Sequence, residues 1–127
     1  MWFDPDPGVI LVSPQHTWML RAWTWRLWER HGAVYVARRT SERVNGEPRG
    51  RRVYLHRQIM GLQFRDPREV DHVNGDTLDN RLGNLEIVTR AENMRRQHDR
   101  EHREAAAAAL ERDRAWRASK AVRRSGV

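Results

Sequence analysis

Two turn signals inside one polar stretch constrain the fold of this chain more than any other feature. From Val70 to Asn93 it reads VDHVNGDTLDNRLGNLEIVTRAEN. Asn74-Gly75-Asp76 supplies the positive φ angles of a tight turn, and Leu82-Gly83-Asn84 supplies a second. The apolar residues on either side make residues 70–73 and 85–88 short strands. Thr89 is a suitable helix cap, and Glu92 three residues later completes a capping box. The frame is strand, long loop, strand, helix. It can carry the end of the first strand against the first turn of the helix, bringing Asp71 and His72 toward Asn93. A carboxylate, an imidazole and carboxamides on so tight a backbone can bind a hard divalent cation and activate water.

The flanking regions differ from this segment in pattern. Before it, residues 9–12 are a short apolar run, and Gln15 to Arg26 suits a helix entered through Ser13 as cap and Pro14 in its first turn. Residues 25–29 and 33–39 read as a hairpin across His31-Gly32, with Val34, Val36 and Arg38 on one face and Tyr35, Ala37 and Arg39 on the other. Asn45-Gly46, with Pro48 and Gly50, signals another turn before a strand over residues 51–55. Ile59, Met60 and Leu62 suit a short helix over residues 56–62. Five of the six tryptophans fall within the first 28 residues, where they are expected to fill a small core. After the segment, residues 90–120 are almost free of Gly, Pro and β-branched residues and have high helix propensity. Their apolar stripe is thin, so beyond His98 the helix should leave the core and end frayed at VRRSGV. The expected class is α+β: a platform over residues 1–69, a catalytic motif over 70–97 and a basic helical extension over 98–127. Together these make one compact domain plus a tail.

Charge narrows the partners. The chain has 127 residues and a formal charge of +7, and Lys120 is the only lysine among its 24 lysines and arginines. Arginine keeps its charge and matches phosphate bidentately, so a polyanion, most often nucleic acid, is the expected partner. No apolar run approaches the roughly 20 residues of a spanning helix, and the acidic, turn-prone MWFDPDPG is unlike a cleavable leader. Cysteine is absent, which removes disulfides and thiolate zinc sites. A cytoplasmic setting, in a bacterial or phage-infected cell, is the expectation.

The stretch from Val53 to Arg96, through VYLHRQIMG, VDHVNGDTLDNRLGNLEIVT and RAEN, resembles the HNH homing-type endonucleases with a ββα-metal fold, in their phage and bacterial H-N-N form. The resemblance implies that His72 is the general base and Asp71 a ligand of one divalent metal, Mg²⁺ or Mn²⁺. It makes Asn84 the central asparagine whose carbonyl orients the imidazole, and Asn93 the second metal ligand. It also implies cleavage of DNA, as nicks or double-strand breaks, to 5′-phosphate and 3′-hydroxyl ends by a monomer or homodimer.

The residue chemistry is consistent with those roles. A histidine beside a cation and an arginine-rich surface stays neutral and can accept a proton near pH 7. Asp and Asn oxygens are hard donors suited to Mg²⁺ or Mn²⁺. Arg57, Arg81, Arg90, Arg95 and Arg96 are candidate phosphate contacts, though the family often has an amide where Arg96 stands. His56 is a candidate supporting residue, while Asn74 and Asn80 read as turn residues. HDREH, residues 98–102, fits the pattern of an inverted zinc peptidase, yet its helix is polar all round and lacks a distal third ligand. The alternative to an endonuclease is a DNA-binding protein on the same scaffold with weak or lost catalysis, its basic tail carrying the function.

Overall fold

The computed structural model describes residues 1–41 and 49–125; Asn45, Gly46 and Pro48 of the expected turn, and Gly126 and Val127 of the expected frayed end, lie outside these. The architecture is α+β. A first compact unit spans Met1–Arg90, and a second begins at Ala91.

The first unit is built on an antiparallel sheet in the order β1 (Trp2–Phe3), β3 (Arg26–Arg30), β4 (Ala33–Arg39), β5 (Arg52–Tyr54). The β3–β4 hairpin turns through His31 and Gly32 at φ 50° and 80°. Two consecutive positive φ angles match the right-handed twist of the strands they join. Gly50, at φ 76°, closes the β4–β5 connection, donating its N–H to the Thr40 carbonyl at 2.8 Å. Alternation gives the sheet two unlike faces. Val36 faces a core with Met19, Trp25 and Leu55, against which Leu27, Trp23 and Ile59 pack.

The helix expected from Gln15 is shorter than its sequence suggests. A 3₁₀ turn over Pro14–His16 leads into α1 (Thr17–Ala22), and Trp23 is already extended at φ −135°, ψ 158°. The strand-forming residues after it are recruited by β4, and Trp25 turns back to donate its indole N–H to the Met19 carbonyl at 2.9 Å. Ser13 does not cap this helix; its hydroxyl accepts the backbone N–H of Leu82 at 2.8 Å.

The tryptophans also depart from expectation. Trp25 is buried, whereas Trp18 is 51% exposed and Trp2, Trp23 and Trp28 are partly covered. A four-stranded sheet in so small a unit has one face toward the core, and Trp2 and Trp28 lie on the other.

After α2 (Leu55–Ile59), strand β6 (Glu69–His72) pairs antiparallel with β8 (Leu85–Val88), aligning Asp71 with Glu86 and His72 with Leu85. Leu62, Val70 and Leu85 form a second core beneath them. Between them β7 (Asp79–Asn80) pairs in parallel with β2 (Leu11–Val12), so an N-terminal segment buttresses the loop beyond His72.

The second unit is a helix. α3 (Arg90–Ser125) starts just after Thr89, and every residue from Glu101 to Lys120 is exposed, as its thin apolar stripe requires. No helix among the described residues is long and apolar enough to cross a membrane.

Candidate active site

Strand β6 delivers Asp71 and His72 at its end, and both are buried. Beyond them the chain enters a loop whose backbone is held by its own side chains. The Asn84 amide does most of this, with its Oδ1 accepting the Asn74 N–H at 2.9 Å and its Nδ2 donating to Asn74 Oδ1 at 3.0 Å and to the Asp79 carbonyl at 2.9 Å. Asn74 in turn accepts the Asp76 N–H at 2.8 Å, and Asp76 accepts that of Leu78 at 3.0 Å. These are the short-range bonds by which Asn and Asp replace secondary structure in turns. Gly75, at φ 79°, lets its N–H reach back to the His72 carbonyl at 2.8 Å. Asp79 is buried and clamped by Arg81 at 2.7 and 2.8 Å, and this pairing lowers its carboxyl pKa to about 2.

One amide lies against the imidazole. His72 Nε2 stands 3.0 Å from Oδ1 of Asn80, which is 1% exposed. The resemblance assigns this task to Asn84, and local sequence makes Asn80 a turn residue. The geometry divides the work differently: Asn84 shapes the loop just after His72, while the Asn80 carbonyl faces the ring. The usable signal is Asp79-Asn80-Arg81. An extended segment whose first and third residues pair with each other must point the second to the opposite side. The Asn80 carbonyl oxygen can accept a proton from Nε2, and in that tautomer Nδ1 carries the basic lone pair.

Burial pushes the His72 pKa below its ordinary value, against the pull of the Asn80 hydrogen bond and of Asp71, Asp76 and Asp79. The neutral ring expected from sequence is therefore favoured, by desolvation rather than by neighbouring cations. His56, at the start of α2, is buried with its ring edge-on to His72 at 5.0 Å. Desolvation, then the charges of His72 and Arg57, holds its pKa well down. Tyr35 lies 5.8 Å from His56 and 6.4 Å from His72, and Tyr54 lies 5.4 Å from His56.

Four of the five candidate phosphate contacts have other partners. Arg57 donates to the carbonyls of Arg68, Gln63 and Asp66 at 2.9–3.3 Å, which makes it a clamp on the loop before β6. Arg81 is held by Asp79. Arg90 opens α3, and Arg95 and Arg96 both pair with Glu92 within that helix. Asn93 lies in the first turn of α3, in the second unit.

Among the described residues no three His, Cys, Asp or Glu side chains form a metal-holding group. That holds for HDREH too, where the exposed His98 and His102 rings stack 6.4 Å apart. The buried Asp71 carboxylate is a hard oxygen donor of the kind that suits an ion such as Mg²⁺.

Residues 53–95 match the family model of the HNH endonucleases. This stretch is an HNH segment. It runs from β5 to the first turns of α3 and contains His72, the hydrogen-bonded loop, and Asn74, Asn80, Asn84 and Asn93. No curated protein and no solved structure matches the chain. The match links residues 53–95 to a nuclease family, and the aromatic and arginine-rich sheet before β5 lies almost wholly outside the matched residues.

Proposed function

We propose that this chain is a metal-dependent DNA endonuclease that hydrolyses phosphodiester bonds to 5′-phosphate and 3′-hydroxyl ends. The observation that carries this reading is the 3.0 Å contact between His72 Nε2 and Asn80 Oδ1, within a loop that Asn84 fixes from three sides. It leaves Nδ1 as the basic atom of a ring kept neutral by burial. His72 Nδ1 takes a proton from water as the water oxygen attacks phosphorus. The bond from phosphorus to the 3′ oxygen breaks, and that oxygen takes a proton from solvent. Asn80 holds the imidazole in the required tautomer and steadies the imidazolium that forms. Asp71, with Asn93 as the family resemblance assigns it, would hold Mg²⁺ or Mn²⁺. When bound, this ion supplies charge neutralisation at the phosphate and at the departing oxygen.

The test is conversion of supercoiled plasmid with Mg²⁺, Mn²⁺ or EDTA, comparing the wild type with His72→Ala. Cleavage by the wild type in metal alone, lost in His72→Ala, supports the reading. If both proteins bind DNA with equal salt dependence and neither cuts, the chain is a DNA-binding protein on a nuclease scaffold.

A further inference from the structure

The outer face of the four-stranded sheet carries charge that the fold does not use. Arg39 on β4 and Arg52 on β5 are direct cross-strand partners. Like charges placed opposite each other weaken a sheet, so such a pair costs stability unless an anion lies between them. With Arg51, Trp2, Gly50 and Tyr54 they line an open pocket of about 370 Å³ whose lining among the described residues contains three arginines and no carboxylate. Arg52 is held ready rather than neutralised. Its guanidinium lies 4.1 Å over the Trp28 ring and its Nε donates to the Tyr54 hydroxyl at 3.1 Å, and no hydrogen bond from its two terminal nitrogens occurs among the described residues. Arg39 makes no hydrogen bond or ion pair among those residues. A planar guanidinium stacked on an aromatic ring, with its outer edge open, is arranged for bidentate contact with a phosphate.

A chain of ring contacts links the pocket to the candidate active site. Register puts Trp28, Tyr35 and Tyr54 on the same face as Arg39 and Arg52. Tyr54 then packs on His56, and His56 on His72, at 5.4 and 5.0 Å. Taking about 3.3 Å per strand residue, the path from Arg52 to His72 is roughly 17 Å. That is the rise of about five base pairs of duplex at about 3.4 Å each.

From this we infer that the Arg39–Arg52 pocket is a second binding site, outside the HNH segment's cleavage chemistry, for the phosphodiester backbone of duplex DNA a few base pairs from the scissile bond. The choice of DNA as the polyanion rests on the endonuclease reading, but the test reads binding alone and stands apart from cleavage.

The experiment measures fluorescence anisotropy of a labelled duplex of about 30 base pairs against salt, using the full chain with His72→Ala so that no cutting intervenes. Adding Arg39→Ala and Arg52→Ala should weaken binding about tenfold or more and reduce the slope of log K against log salt by about 2, one per lost phosphate contact. The Lys pair, Arg39→Lys with Arg52→Lys, should keep the slope while losing part of the affinity, because charge remains and the bidentate fork does not. Thermal midpoints followed by tryptophan fluorescence should change little in the Ala pair, since the relieved repulsion offsets the loss of the Arg52 contacts to Trp28 and Tyr54. An unchanged affinity and slope would overturn the proposal. So would a fall in midpoint with the slope retained, which would mark the arginines as structural. A slope lost equally in the control Arg21→Ala, on α1, would also overturn it by showing that any surface arginine suffices.

Discussion

The loop from Val73 to Asn84 and helix α3 are both polar, yet they satisfy their backbones in opposite ways. In the loop, the N–H groups of Asn74, Asp76, Leu78, Arg81 and Leu82 each end on a side-chain oxygen, from Asn84, Asn74, Asp76, Asp79 and Ser13 respectively. In the helix the backbone satisfies itself, and the side chains from Glu101 to Lys120 face water. A polar residue in the loop is therefore part of the backbone's geometry at His72. A polar residue in the helix is chiefly a charge. Substitutions in the two regions should differ in kind as well as in size.

The largest difference is expected at the chemistry itself. His72→Ala should reduce plasmid cleavage by about 10²–10⁴-fold, the usual worth of a positioned general base, with DNA affinity nearly unchanged. Residual cutting within about tenfold of wild type would move the base elsewhere. Next comes Asn84→Ala, which removes three bonds and leaves the part-buried N–H of Asn74 without its acceptor. A loss of about 3 kcal/mol is expected in chemical denaturation, with cleavage falling alongside it. If stability holds and only cleavage falls, the amide belongs to the chemistry rather than to the loop.

Asn80→Ala sharpens the comparison within the loop, because it removes one contact to His72 and one buried amide nitrogen that has no partner. Stability should fall by no more than about 1 kcal/mol, while the plateau cleavage rate should fall about 10- to 100-fold, as for other groups that orient a catalytic ligand. The hydrogen bond from Asn80 raises the His72 pKa, so its removal should also shift the acid limb of the pH–rate profile to lower pH. An unshifted limb with an unchanged plateau would mean that Asn80 does not orient the ring.

The same burial predicts how stability depends on pH. His56 and His72 have folded pKa values below 6.5. Below that pH the unfolded chain binds protons that the folded chain does not, so stability falls as pH drops from about 6.5. Asp79 and Asp66, both lowered to about 2 by arginine partners, act in a second window. Their contribution is intact above the ordinary carboxylate pKa of about 4 and is lost as pH falls toward about 2. Urea midpoints between about pH 8 and pH 3 should show both steps. His56→Phe should flatten the first.

Much of this frame was legible in the sequence because turn chemistry and alternation are local. Residues 85–88 form the expected strand, the His31-Gly32 hairpin keeps its two faces, and the helix after Thr89 begins where its cap indicates. The errors arise where a distant segment decides. Ser13 has the chemistry of a helix cap, but its hydroxyl is taken by Leu82, 69 residues away. Asn80 looks like a turn residue until β2 pairs with β7 and aims it inward. Arg57 and Arg81 are arginines in a basic chain, and only the folded backbone shows that carbonyls and a buried carboxylate already hold them. Placing Asp71 and His72 together needed no tertiary information, since both sit at the end of one strand.

The smallest effect is expected in the helix, where Arg117 reaches Asp113 one turn earlier at 3.2 Å with both side chains more than half exposed. Water screens such a pair and the side chains lose rotamer freedom in forming it, so Asp113→Ala should change stability by no more than about 0.5 kcal/mol. Its charge still matters at a distance. Removing one carboxylate from a basic helix should leave DNA affinity equal or slightly stronger at low salt, whereas truncation after Arg100 removes cations and should weaken binding and flatten its salt slope. If truncation leaves binding unchanged, the helix does not contact DNA and its exposed Leu110 and Trp116 become the residues to test for self-association. If Asp113→Ala instead unfolds the chain, helix and loop do not divide in this way, and charged residues in α3 carry structure after all.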